Sequence, residues 1–149
     1  MASEAVGRLS ILRDPRLWLA LAAGPLACLG LAGAGFARWS VGATIAPVSL
    51  IIVILVYPVV EEWLFRGELQ PWIARKLAWA LGPLSAANLV TSALFTALHL
   101  LFHPPGWALA VFLPSLVFGY FRDATGGLAA PMLLHGFYNA CFFVLLLPA

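Results

Sequence analysis

Residues 49–67 read SLIIVILVYPVVEEWLFRG. With the apolar residues from about Thr44 onward, the stretch reaches the roughly 20 residues that a membrane-crossing helix needs. It also carries Glu61, Glu62 and Arg66, with Glu68 just beyond. An Asp, Lys or Arg at the centre of such a helix costs about 2.5–3.5 kcal/mol on insertion scales. Charges placed at that cost need a return, and function is the default one.

The rest of the chain fits the same setting. Of its 149 residues, 63% are hydrophobic and 9% charged, against about 45–50% and about 25% in soluble domains. The bilayer is therefore the solvent for much of the chain. Further apolar runs cover about Leu17–Phe36, Leu84–Leu101, Trp107–Phe121 and Leu128–Leu147, with the fourth of the five spans short enough to be tilted or re-entrant. Gly82-Pro83, Pro104-Pro105-Gly106 and Gly126-Gly127 punctuate them. Residues 71–82, PWIARKLAWALG, set charges against Trp72, Leu77 and Trp79 and read as an interfacial amphipathic helix. The expectation is an all-α polytopic transmembrane helical bundle, a single domain over residues 1–149, with about five spans.

The first apolar run follows basic residues as a signal peptide would, but it continues past a signal core, so a retained helix is expected. Lys and Arg set the orientation. With the N-terminus in the cytoplasm, the inner segments hold Arg8, Arg13, Arg16, Arg66, Arg75, Lys76 and Arg122, and the outer ones Arg38. Five spans then put the C-terminus outside. A net charge of +2 with scattered basic residues excludes a nucleic-acid partner. Arg outnumbers Lys seven to one beside heavy use of Ala, Leu, Gly and Pro. That usage points to a GC-rich bacterium, and hence to its inner (cell) membrane. Cys28 and Cys141 lie inside apolar runs and read as small hydrophobes.

Helical spacing sorts the polar groups. Glu62 and Arg66 are four apart and can pair on one face. Glu61 is turned about 100° from Glu62, and no basic residue stands at helix spacing from it. Phe95 with His99, and His135 with Asn139, are also four apart. Taken singly, Glu62–Arg66 is a structural ion pair, and the His and Asn side chains are interhelical glue. His103 reads as an interface or loop residue, and Glu68 and Gln70 as headgroup-level residues. The conjunction of carboxylate, two imidazoles and an amide on three spans favours a site.

Residue types narrow the chemistry. No H-E-x-x-H string is present for a metalloprotease. Asp14 and Asp123 fall at helix ends, and Ser85, Ser92 and Ser115 have no Gly-x-Ser frame. What remains is a carboxylate and an imidazole activating water, with further donors for an oxyanion. Glu61 would take a proton from water that His99 orients. His135 and Asn139 would donate to the tetrahedral oxygen.

These motifs resemble those of the CAAX-protease and bacteriocin-processing family. Glu61-Glu62-Trp63-Leu64-Phe65-Arg66 resembles its E-E-x-x-x-R motif, FTALH (95–99) its F-x-x-x-H, and HGFYN (135–139) its H-x-x-x-N. The likeness covers about Leu50–Phe143, including the approach GYFRDATGGLAAPMLLHG (119–136). It implies an intramembrane endopeptidase of glutamic type. Glu61 and His99 activate water there, His135 and Asn139 hold the oxyanion, and Glu62, Arg66 and Phe95 give support. No cofactor is implied. The chain ends about ten residues after Asn139, short for the family, which suggests the catalytic core with little else. The substrate is then a membrane-associated protein or peptide, such as a leader or a C-terminal sorting tail. Two rivals stand beside this reading. One is a zinc-dependent version with Glu61, Glu62, His99 and His135 as ligands. The other is a non-catalytic immunity or scaffold protein.

Overall fold

The computed structural model describes residues 11–34, 37–39 and 46–148, with only the backbone for 37–39 and 145–148. The N-terminal residues through Ser10, including Arg8, lie outside the described residues. So do the Phe36 end of the first expected span and the Thr44 start of the second. Helix α1 is Pro15–Gly33, and α2 is the 28-residue run Pro47–Ala74. Next come α3 Ala86–His99, α4 Pro105–Ala110, α5 Phe112–Thr125 and α6 Ala129–Leu145. Two short antiparallel ladders join them, β1 Ala37–Trp39 with β4 Leu146–Pro148, and β2 Ala80–Leu81 with β3 Leu84–Ser85. The fold is all-α.

Among the described residues two helices, α1 and α2, are long and apolar enough to cross a membrane. At 1.5 Å per residue, α3 rises about 21 Å and α6 about 26 Å, short of a hydrocarbon core of about 30 Å. The segment expected as a short fourth span is split at Val111, between α4 and α5. Pro114 has no N–H for the Ala110 carbonyl four residues back, which removes one helical hydrogen bond at this break.

Residues 71–82 do not form the expected interfacial helix. Pro71–Ala74 is the last turn of α2, and the amides of Lys76 and Leu77 both turn back onto the Ile73 carbonyl. Ala80–Leu81 then pairs with Leu84–Ser85, and the Trp79 carbonyl accepts from Ala86 N at 2.9 Å. The tight Gly82-Pro83 turn takes up the backbone groups that a helix would have used.

The chain forms two compact units, Met1–Pro58 with Leu133–Ala149, and Val59–Met132. In the first, Asp14 caps α1 by accepting from Arg16 N at 2.9 Å, with Pro15 following. The Arg16 guanidinium and amide beside Asp14 hold its carboxyl below the usual carboxylate range. The α1–α6 contact is built around Gly24, whose Cβ would lie 3.0 Å from the Tyr138 ring, and the Tyr138 hydroxyl donates to the Ala20 carbonyl at 2.6 Å. Cys28 and Cys141 are free thiols in one apolar cluster with Leu31, Ala32 and Phe142. Gly136 is required where α6 crosses the first half of α2, because a Cβ there would meet the Ile54 carbonyl oxygen at 2.7 Å.

In the second unit, α3 begins at Ser85, whose Oγ accepts from Asn88 N at 3.0 Å. Asn88 packs into the space left by Gly119, donates to the Leu116 carbonyl at 2.9 Å and accepts from Ser92. The interior of this unit holds polar groups beside Phe65, Phe95, Phe118 and Phe121: Glu62, Arg66, Gln70, Asn88, Thr91 and Ser92 are all buried. Much of the outside is apolar, with Val59, Val60, Trp63, Leu64, Leu94 and Leu98 exposed. Polar groups inward and apolar groups outward is the pattern for a bilayer rather than for water.

Candidate active site

Helix α2 is not uniform. Ile52–Val56 and Trp63–Leu69 are π-helical turns set into an α-helix. Such wide turns gather at functional sites. The second π segment begins directly after Glu61 and Glu62 and contains Arg66.

The ion pair that the spacing predicts is present. Arg66 Nε lies 3.2 Å from Glu62 Oε2, and neither side chain has any exposure. One Arg66 terminal nitrogen donates to the Ser115 carbonyl at 2.8 Å and to the Ser115 hydroxyl. The guanidinium carbon sits 5.0 Å from the Phe95 ring centroid and 5.7 Å from that of Phe118. With the Phe65 ring at 6.0 Å, three aromatic rings, one carboxylate and one serine therefore surround the cation. Glu61 is the less buried carboxylate of the two. It lies close enough to add to the attraction on Arg66, after Glu62.

Phe95 joins this cluster to His99, with ring centroids 4.4 Å apart. His99 Nδ1 lies 2.9 Å from the Phe95 carbonyl. A carbonyl only accepts, so Nδ1 carries a proton and donates it there. His103, expected as a loop residue, is exposed but stacks on His99 at 5.7 Å. It is there because α3 ends at His99 and the chain turns, with His103 N donating to the His99 carbonyl.

His135 and Asn139 belong to the other unit, one turn apart on α6. His135 is buried. Asn139 Nδ2 donates to the Val53 carbonyl at 2.8 Å. That bond fixes the plane of the amide and leaves its second N–H pointing in a set direction. Among the described residues, no three His, Cys, Asp or Glu side chains gather where one metal ion could be held.

Residues 43–141 match a family model described as type II CAAX prenyl endopeptidase Rce1-like. The chain belongs to this family. Rce1-like proteins are intramembrane proteases, so the resemblance of the three motifs holds at the family level and the chain is a membrane protein. No curated protein matches it, and no solved structure does.

Several polar residues of the Rce1-like core escape the sequence patterns. Gln70 is buried inside the protein, not set among headgroups, and donates to the Gly119 carbonyl at 3.0 Å and to Asp123 at 2.7 Å. Asp123 also accepts from the Ser85 hydroxyl at 2.6 Å. A signal was there to find: 62, 66 and 70 repeat every four residues, as do 115, 119 and 123. Each set marks one helix face, and the structure lays the two faces together.

Proposed function

We propose that this Rce1-like protein hydrolyses a peptide bond of a membrane-associated protein or peptide by direct attack of water. Glu61 accepts a proton as the water oxygen bonds to the scissile carbonyl carbon. His99 orients that water through Nε2. His135 and the second Asn139 N–H donate to the oxygen that gains negative charge. When the C–N bond breaks, the proton held by Glu61 passes to the departing nitrogen, leaving a carboxylic acid, which keeps the second proton of the water, and an amine. No acyl-enzyme forms. Cys28 and Cys141 sit in an apolar cluster, where a thiol is a poor nucleophile.

The observation that carries the reading is the division between the two adjacent carboxylates. Glu62 is committed to Arg66 at zero exposure, while Glu61 is the less buried of the two. Glu62 anchors the helix, and Glu61, the more exposed of the two, is the carboxylate that water can reach. Asn139 adds weight, since a donor already fixed by the Val53 carbonyl needs no reorganisation when charge develops. The substrate class is a leader peptide or a membrane-anchored C-terminal tail, and the setting a bacterial inner membrane with the N-terminus in the cytoplasm.

The test compares cells carrying wild-type protein with cells carrying Glu61→Gln. New protein termini should appear only with wild type, and Glu61→Gln should retain its fold because the amide keeps the shape. Wild-type cleavage by Glu61→Gln would remove Glu61 as the base. Activity lost on stringent chelation and restored by zinc alone would make Glu61 and His99 metal ligands instead. No cleavage by either form, with both folded, would favour a scaffold role.

A further inference from the structure

The two π segments of α2 each end at a proline, and each leaves one backbone carbonyl without a helical donor. At the first, the Tyr57 amide reaches back five residues to Ile52, and Pro58 has no N–H. The Val53 carbonyl therefore finds no amide at the fourth or fifth residue on, and Asn139 supplies the bond. At the second, the Gln70 amide reaches back to Phe65, and Pro71 has no N–H. The Arg66 carbonyl is stranded in the same way, and Arg122 Nε donates to it at 2.7 Å. The sequence sets up both vacancies through proline, and a distant side chain fills each.

We propose that Arg122 is a positioning residue that holds α2 in the π register on which the Glu61–Arg66 arrangement depends. Without Arg122, the Arg66 carbonyl can regain a partner within the helix in one way. The Gln70 amide must move from Phe65 to Arg66, which turns the wide π step back into an α step. That removes one residue from the turn and rotates the helix before it by about 100° relative to the helix after it. Glu61 and Glu62 lie before it, and Gln70, held by Gly119 and Asp123, lies after it. The rotation would carry Glu61 off its bearing and pull Glu62 from Arg66. Arg122 suits the task because its donation is charge-assisted and comes from α5, the helix that also holds Arg66 through Ser115.

The inference deepens the peptidase reading and rests on it, but one comparison can separate the two. Pro71→Ala restores a main-chain N–H five residues after Arg66, the donor that the π register lacks. Arg122→Leu alone should lower kcat by about tenfold or more, the order expected when a charge-assisted hydrogen bond is lost, with KM little changed. Arg122→Leu with Pro71→Ala should recover to within about threefold of wild type, and Pro71→Ala alone should be near neutral. Arg122→Lys should keep part of the activity. Because Arg122→Leu can also weaken folding, thermal midpoints in detergent for wild type, each single variant and the double variant form the second readout. Arg122→Leu should lower the midpoint when residue 71 is Pro and barely when it is Ala. A loss of kcat and midpoint that Pro71→Ala does not relieve would overturn the proposal, as would wild-type behaviour of Arg122→Leu. If no variant hydrolyses anything but the midpoints show the pattern, the peptidase reading fails and the carbonyl contact stands as structural only.

Discussion

Arg66→Met is the perturbation whose size comes most directly from the structure. The change keeps an unbranched chain among the Phe95 and Phe118 rings but removes the cation, at a site where both partners of the ion pair have no exposure. Glu62 then loses its counter-ion at a site without exposure, and the Ser115 carbonyl and hydroxyl lose their donor. Breaking a buried pair on one side costs about 3–5 kcal/mol, mostly because the other charge is stranded. At about 1.4 kcal/mol per tenfold, the unfolded population should rise by roughly 10²–10⁴. The double variant Glu62→Gln with Arg66→Met removes the stranded charge and should return a large share of that loss. Equilibrium unfolding in mixed micelles, followed by circular dichroism, measures all four corners of the cycle. Activity should fall for Arg66→Met in step with the folded fraction or further, because the same pair fixes the turn that bears Glu61. Wild-type stability for Arg66→Met would refute the reasoning. So would a double variant no better than Arg66→Met, since the penalty would then not come from the Glu62 charge.

Asn139→Ala should slow turnover by about 10²–10³-fold, the scale of one lost oxyanion donor, and should also cost stability by stranding the Val53 carbonyl; turnover that tracks stability alone would reduce Asn139 to the second role. Gly136→Val forces a side chain onto the Ile54 carbonyl, where even a Cβ would come within 2.7 Å, so a lower thermal midpoint is expected, and an unchanged one would show that α6 and α2 can part without cost. Reporter fusions at residue 149 should give a signal from outside the cytoplasm, and a cytoplasmic signal would overturn the inferred orientation or the five-span count.

Much of the protein is legible in its sequence for a physical reason. Charge is so costly in hydrocarbon that Glu61, Glu62, Arg66, His99, His135 and Asn139 stand out against the apolar background. Four-residue spacing then suffices to pair Glu62 with Arg66, because that contact is local to one helix. The all-α class and the membrane setting come from composition in the same way. The failures fall where the deciding partner is far along the chain. Gln70 reads as a headgroup residue because its position suggests the end of a span, yet Gly119 and Asp123, about fifty residues on, supply its partners. Residues 71–82 have the composition of an interfacial helix, but pairing across the Gly82-Pro83 turn outweighs that local pattern. Pro58 and Pro71 dictate, from sequence alone, that some carbonyls of α2 lose their amides. Which carbonyls these are depends on the π register, and what fills them depends on packing. Only the tertiary structure could supply Arg122 to Arg66 and Asn139 to Val53, because helical periodicity reports which face a residue occupies and not which distant atom meets it.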